Sequence, residues 1–142
     1  MAILNNHIAD SIKAHGERTY PFECCGFLFG KDENDVRQIS DIMPVENNQK
    51  ENKERRFLVS PGDYLRAEKY AEIKGLSLIG IYHSHPDHPA IPSEHDRKQA
   101  MPFFSYLIVS IQKGIAAETR SWLLGSDMQF KEEQLIEKVI QF

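Results

Sequence analysis

His83-Ser84-His85, then residues 86–92, then Ser93-Glu94-His95-Asp96 put two imidazoles, a carboxylate and a hydroxyl on a segment short enough to converge on one metal ion. Two His and one Asp make three protein ligands, the number a catalytic zinc uses when its fourth position is kept for water. A structural zinc is closed by four. The pattern therefore predicts a hydrolytic zinc site held by His83, His85 and Asp96. For both imidazoles to reach one ion their backbone must be a strand, where residues i and i+2 project from the same face. On a helix they would point about 200° apart. Leu76-Ser77-Leu78-Ile79-Gly80-Ile81-Tyr82 is a short apolar run rich in strand formers and predicts a buried strand leading into His83. Pro86 stops that strand, and Pro89 and Pro92 stiffen the loop that follows. Ser93 opens a helix with Asp96 in its first turn. Ser93-x-x-Asp96 is also an ordinary N-cap pattern, and Ser93 can cap the helix and face the metal at once. His88 and His95 read as solvated residues or as neighbours of the ligands.

Two other zinc chemistries fail on counting. His83-Ser84-His85-Pro86-Asp87-His88 fits the His-x-His-x-Asp-His signature of metallo-β-lactamase-type hydrolases, which need further ligands far downstream. The 6 histidines end at His95. A cytidine-deaminase zinc site needs a Cys-x-x-Cys pair. The 2 cysteines, Cys24 and Cys25, are adjacent, so they form neither that pair nor a disulfide framework, and they read as strand cysteines of a reducing compartment.

Hydrolysis also needs a base near the metal that does not ligate it. Glu23 stands at the start of the apolar strand Cys24-Cys25-Gly26-Phe27-Leu28-Phe29-Gly30, just after a turn containing Pro21. By itself a Glu beside a turn is ordinarily a solvated surface residue. Pro21-x-Glu23-x-Cys25-Gly26-x-Leu28-x-Gly30, then His-Ser-His, seven residues and Ser-x-x-Asp, resembles the JAMM (MPN+) metalloprotease family. It is most similar to the short prokaryotic branch that includes the cysteine-releasing (CysO-type) peptidases of sulfur-carrier proteins. The resemblance covers about residues 3–130, with Tyr106–Ser110 and Arg120–Trp122 similar to later strands. It implies that Glu23 is the general base and proton shuttle, that His83, His85 and Asp96 hold Zn2+, and that Ser93 steadies the oxyanion. It further implies one α/β MPN/JAMM domain over residues 1–142, a mixed, strongly curved sheet flanked by helices in the cytidine-deaminase-like manner. The implied substrate is a ubiquitin-like sulfur-carrier protein cut after its C-terminal Gly-Gly. An isopeptidase acting on lysine-linked modifiers is the alternative, and a non-catalytic MPN scaffold is disfavoured because all five chemical positions are filled.

The elements that must position these residues read in α/β order. Leu4, Ile8 and Ile12 mark an N-terminal amphipathic helix that Gly16 ends. Strands follow near 25–30, 36–43 and 56–59. Ser60-Pro61-Gly62-Asp63 starts a helix running towards Gly75. Residues 105–112 and 115–123 read as strands joined at Lys113-Gly114, and Leu135, Ile136, Val139 and Ile140 mark a C-terminal helix. The polar run Glu46–Arg56 reads as a solvated loop or as a clamp that orders on a substrate tail, and Trp122 as a packing residue. A net charge of −4 and a pI near 5.9 argue against a nucleic-acid surface. No stretch approaches the roughly 20 apolar residues of a membrane span, and no signal peptide is evident, so the expected location is cytoplasmic.

Overall fold

Cys25–Gly30 is apolar without alternation, and a strand of that composition must be covered on both faces. In the computed structural model, which describes residues 1–141, these six residues are buried. The chain runs β1 (Ala2–Asn5), α1 (Asn6–Thr19), β2 (Cys25–Glu33), β3 (Val36–Val45), α2 (Pro61–Lys74), β4 (Ser77–Pro86), α3 (Glu94–Gln99), β5 (Ser105–Gln112), β6 (Ile115–Leu124), β7 (Phe130–Glu133) and β8 (Leu135–Lys138). All eight strands form one mixed sheet in the order β7-β6-β5-β4-β2-β3-β1-β8. β4 lies near its centre, antiparallel to β2 and parallel to β5. Register shifts between Leu28 and Phe29, between Phe29 and Gly30, and between Val109 and Ile111 place bulges along it, and bulges bend and twist a sheet. The architecture is the curved, mixed α/β sheet expected.

Successive side chains of a strand point to opposite faces, so the sheet has a core on each. Leu28, Tyr82, Leu107, Val109 and Ile111 pack with Ala9 and Ile12 of α1 on one side. Phe27, Phe29, Ile81 and Tyr106 pack with Ala67 and Ala71 of α2, and with Phe57 and Val59, on the other. His83 and His85 follow Ile81 at two-residue steps and so belong to this second face.

Several expectations need correction. The N-terminal helix starts later and ends later. Ala2–Asn5 pairs with β3 and β8, and Asn5 is the N-cap, its side chain accepting from the Ile8 amide at 2.9 Å. Gly16 lies inside α1, where a Cβ would stand 2.8 Å from Ile111 Cδ1; it is a glycine for close packing, not a helix stop. Residues 56–59 join no ladder, although Phe57 and Val59 are buried. The expected C-terminal helix is β8, parallel to β1, and Val139 is 72% exposed. The open edge of β1 takes Leu135–Lys138 as a strand, and Val139 and Ile140 lie beyond it without a ladder partner. β7 had not been foreseen. α2, by contrast, has Ser60 as N-cap and Gly75 as left-handed C-cap, and Lys113-Gly114, both at positive φ, turn β5 into β6 as expected.

Candidate metal centre and catalytic cleft

β4 carries His83 and His85 to the rim of the sheet, and Pro86 ends the strand there. His83 Nε2 and His85 Nε2 are 3.2 Å apart, and Asp96 Oδ2 lies 3.2 Å from the first and 3.1 Å from the second. Three buried ligand atoms thus converge on one point, as a metal site requires. Asp96 gets there because α3 begins with a full capping box: the Asp96 amide donates to Ser93 Oγ (3.0 Å) and the Ser93 amide to Asp96 Oδ2 (2.9 Å). The cap reading of Ser93-x-x-Asp96 holds, and the same cap places Asp96 where it could hold a metal.

Each ligand is oriented by something behind it. His85 Nδ1 lies 2.8 Å from the Pro89 carbonyl; donating there leaves the Nε2 lone pair facing Asp96. Phe57 stacks on the His83 ring at 4.4 Å between centroids. Burial lowers the His83 pKa, against the pull of Asp96, so the ring is neutral near pH 7. Burial pushes Asp96 the other way, but the charge and hydrogen bonds of His83 and His85 outweigh it and hold the carboxyl well below the usual range. Neutral imidazole and ionised carboxylate are the forms that ligate a metal. Electron-rich atoms at this separation call for a cation or a proton between them, and Asp96 Oδ1 and His83 Nδ1 are buried with no hydrogen-bond partner in the protein.

The loop between the ligands is fastened to β5 and β6. Trp122 Nε1 donates to the Ala90 carbonyl at 2.9 Å, and the Ala90 amide donates to Glu118 at 3.3 Å. Ser110 Oγ donates to the His88 carbonyl, and Tyr20 to Asp87. Trp122 is thus the packing residue expected, with the added task of holding this loop.

Glu23, 3% exposed, shares a cleft of about 180 Å³ with His85, His88, Ser93 and Arg55. Burial, then the charge of Asp96, push its carboxyl up to about 9 against the opposing charge of Arg55. Its backbone is held from both sides by the 46–56 segment: the Glu23 amide donates to the Lys53 carbonyl (2.7 Å), and Asn47 Nδ2 donates to the Glu23 carbonyl (3.2 Å). Asn47 Nδ2 also reaches the Arg56 carbonyl, and its Oδ1 accepts from the Gln49 and Leu58 amides, so all its hydrogen-bonding capacity is used. Nothing in a polar run of Glu, Asn and Lys singled out Asn47; only the fold brings it to Glu23. His88 is half-buried in the cleft, and the half-buried His95 has a buried Nε2 without a partner. Both are neighbours of the ligands, not members of the set. Cys24 and Cys25 are buried thiols, and burial first of all pushes Cys24 up to about 11, which suits the inert reading.

Residues 5–125 match the family described as prokaryotic homologs of the JAB domain. The chain belongs to that family. Among its relatives, a desampylase of Pyrococcus furiosus is 32% identical over 80% of this chain and 75% of its own length. A Thermus thermophilus protein named a probable TtuB-protein conjugate cleaving protease is 35% identical over 71% of this chain and 64% of its own. A CysO-cysteine peptidase of Mycobacterium tuberculosis is 28% identical over 84% and 80%. The solution structure of a Desulfitobacterium hafniense protein superposes with a TM-score of 0.87 at 31% identity, covering 99% of this chain and 94% of that one. This JAB-family chain is an enzyme, a JAMM-type peptidase. Its His83, His85 and Asp96 are positioned to bind a metal ion.

Proposed function

We propose that this JAB-family enzyme is a zinc peptidase that cuts the bond after the C-terminal Gly-Gly of a ubiquitin-like sulfur-carrier protein. The observation that carries this reading is the convergence of His83, His85 and Asp96 beside a buried carboxyl in an open cleft. The donor set fits zinc: ligand atoms about 2.0–2.1 Å from a tetrahedral ion stand about 3.3 Å from each other, and the three here are separated by 3.1–3.2 Å. When bound, zinc would supply a Lewis acid that polarises the scissile carbonyl and brings the pKa of a water to about 7.

The chain's own residues do the rest. Glu23 takes a proton from the attacking water and gives it to the departing amine as the C–N bond breaks, leaving the water oxygen in the new carboxylate. Ser93 Oγ accepts the Asp96 amide, which leaves its hydrogen free to donate to the oxyanion. Glycines at the substrate's end let its backbone approach the narrow cleft closely.

The names of the relatives support a ubiquitin-like substrate, since one is a CysO-cysteine peptidase and another a TtuB-protein conjugate cleaving protease. Removal of a modifier from lysine is the second reading, favoured by the conjugate-cleaving relative's 35% identity. The test pairs metal analysis with intact-mass assays. The purified protein should hold one zinc per chain, lost in His85→Ala and Asp96→Ala, and should trim an extension from a Gly-Gly carrier. Zinc retention in both variants overturns the ligand set. Cleavage of lysine-linked conjugates without trimming of any extended carrier gives the function to the isopeptidase.

A further inference from the structure

Arg55 belongs to the polar run 46–56, yet it is folded over the site and lines the same cleft as Glu23, His85 and Ser93. Among the described residues its side chain has no hydrogen bond or ion pair. The contrast with Arg66 on the neighbouring groove is direct, because Arg66 pairs with Asp63 at 3.0 Å. Arg55 therefore presents an uncommitted guanidinium to the place where substrate bonds are broken. Its charge is felt by Glu23 and by His88, which puts it beside both.

An unpaired guanidinium in a cleft selects for an anion, and carboxylate is the anion that its planar fork matches best. We infer that Arg55 binds the free α-carboxylate of the residue released by the reaction, which makes the enzyme a carboxypeptidase-like remover of a single C-terminal amino acid. The inference rests on the peptidase reading of the site. The reach of a one-residue extension agrees with it. In a one-residue extension the carboxylate follows the scissile nitrogen by one residue, at most about 3.6 Å of extended chain. It therefore falls inside the cleft that holds Glu23 and Ser93. A lysine side chain leaving from an isopeptide bond brings a long apolar arm and no carboxylate to that position.

The test uses the zinc-loaded protein and three substrates made on one carrier: Gly-Gly followed by one amino acid with a free carboxylate, the same extension as its C-terminal amide, and an isopeptide to lysine. In the wild type kcat/KM for the acid should exceed that for the amide by about tenfold to a hundredfold, the scale of a charge-assisted hydrogen-bonded pair. Arg55→Gln should bring the acid-to-amide ratio close to one, Arg55→Glu should take it below one, and Arg55→Lys should restore part of it. Thermal melts and zinc content confirm that each variant is folded and loaded. A wild-type ratio near one, or a Gln variant that loses acid and amide equally, overturns the assignment while leaving the peptidase standing. A loaded wild type that cuts none of the three overturns the peptidase reading and this inference with it.

Discussion

Glu23 is the group whose protonation is expected to differ most between metal-free and metal-loaded protein. With its carboxyl pushed up to about 9 by burial and by Asp96, the metal-free folded chain keeps a proton that the unfolded chain sheds near pH 4.3. Between those values the folded state binds more protons, so this residue's contribution to stability falls as pH rises. A bound cation reverses the preference and favours the ionised form that a general base needs. Two outcomes follow for Glu23→Gln. In chelator-treated protein the variant should gain stability over the wild type, more at pH 8 than at pH 5, as urea denaturation will report. In zinc-loaded protein turnover should fall by about two orders of magnitude or more with zinc retained. A metal-free variant less stable than wild type at pH 8 would mean that the carboxylate is held ionised by groups other than the ion. The candidate ligands are legible because all three lie between residues 83 and 96, on a strand end and a helix cap whose local rules fix where side chains point. Glu23 needed the family resemblance, and Asn47 and Arg55 were invisible, because their roles depend on contacts across the fold.

The 46–56 segment was expected to be a solvated loop or a substrate clamp, and its hydrogen bonds give it another task. It fastens both backbone groups of Glu23, through the Lys53 carbonyl and the Asn47 side chain. Shortening it would therefore displace the base, and the consequence belongs in kcat as much as in KM. Asn47→Ala isolates that effect. It removes the part-buried bonds to the Glu23 carbonyl and the Gln49 amide and the exposed bonds to the Arg56 carbonyl and the Leu58 amide, which water can replace, so the loss falls mainly on the positioning of Glu23. The expected result is a fall in kcat of about tenfold or more, with zinc content unchanged and KM moved less. A pure KM effect would return the segment to the clamp role. Elements announced by local chemistry, such as α2 with its Ser60 cap and Gly75 stop, were readable from the chain. β1, β7 and β8 were not, because four-residue strands, β7 and β8 at the sheet's edges and β1 just inside, exist only through the partners they add to.

The molecule as a whole is organised so that its stability and its chemistry are separable. Each face of the sheet has its own apolar cluster, one closed by α1 and the other by α2, and the candidate metal ligands sit at the end of β4 and on the six-residue α3. Among the described residues no helix is long and apolar enough to cross a membrane. An ion bound at the rim of a doubly covered sheet would add to folding by linkage without being needed to nucleate it. Zinc at a hundred times its Kd would contribute about 2.7 kcal/mol, by binding the folded chain and not the unfolded one. Zinc-finger domains behave in the opposite way, because there the metal is the core. Chelation should therefore abolish turnover while far-ultraviolet circular dichroism at 25 °C stays that of the loaded protein. The Tm should drop by several degrees and recover with added zinc in a concentration-dependent manner. His85→Ala, which loses the ion, should melt near the chelated wild type and should not respond to zinc. Unfolding on chelation at 25 °C would show instead that the His83, His85 and Asp96 centre is structural, and would remove the ground for placing a reaction there.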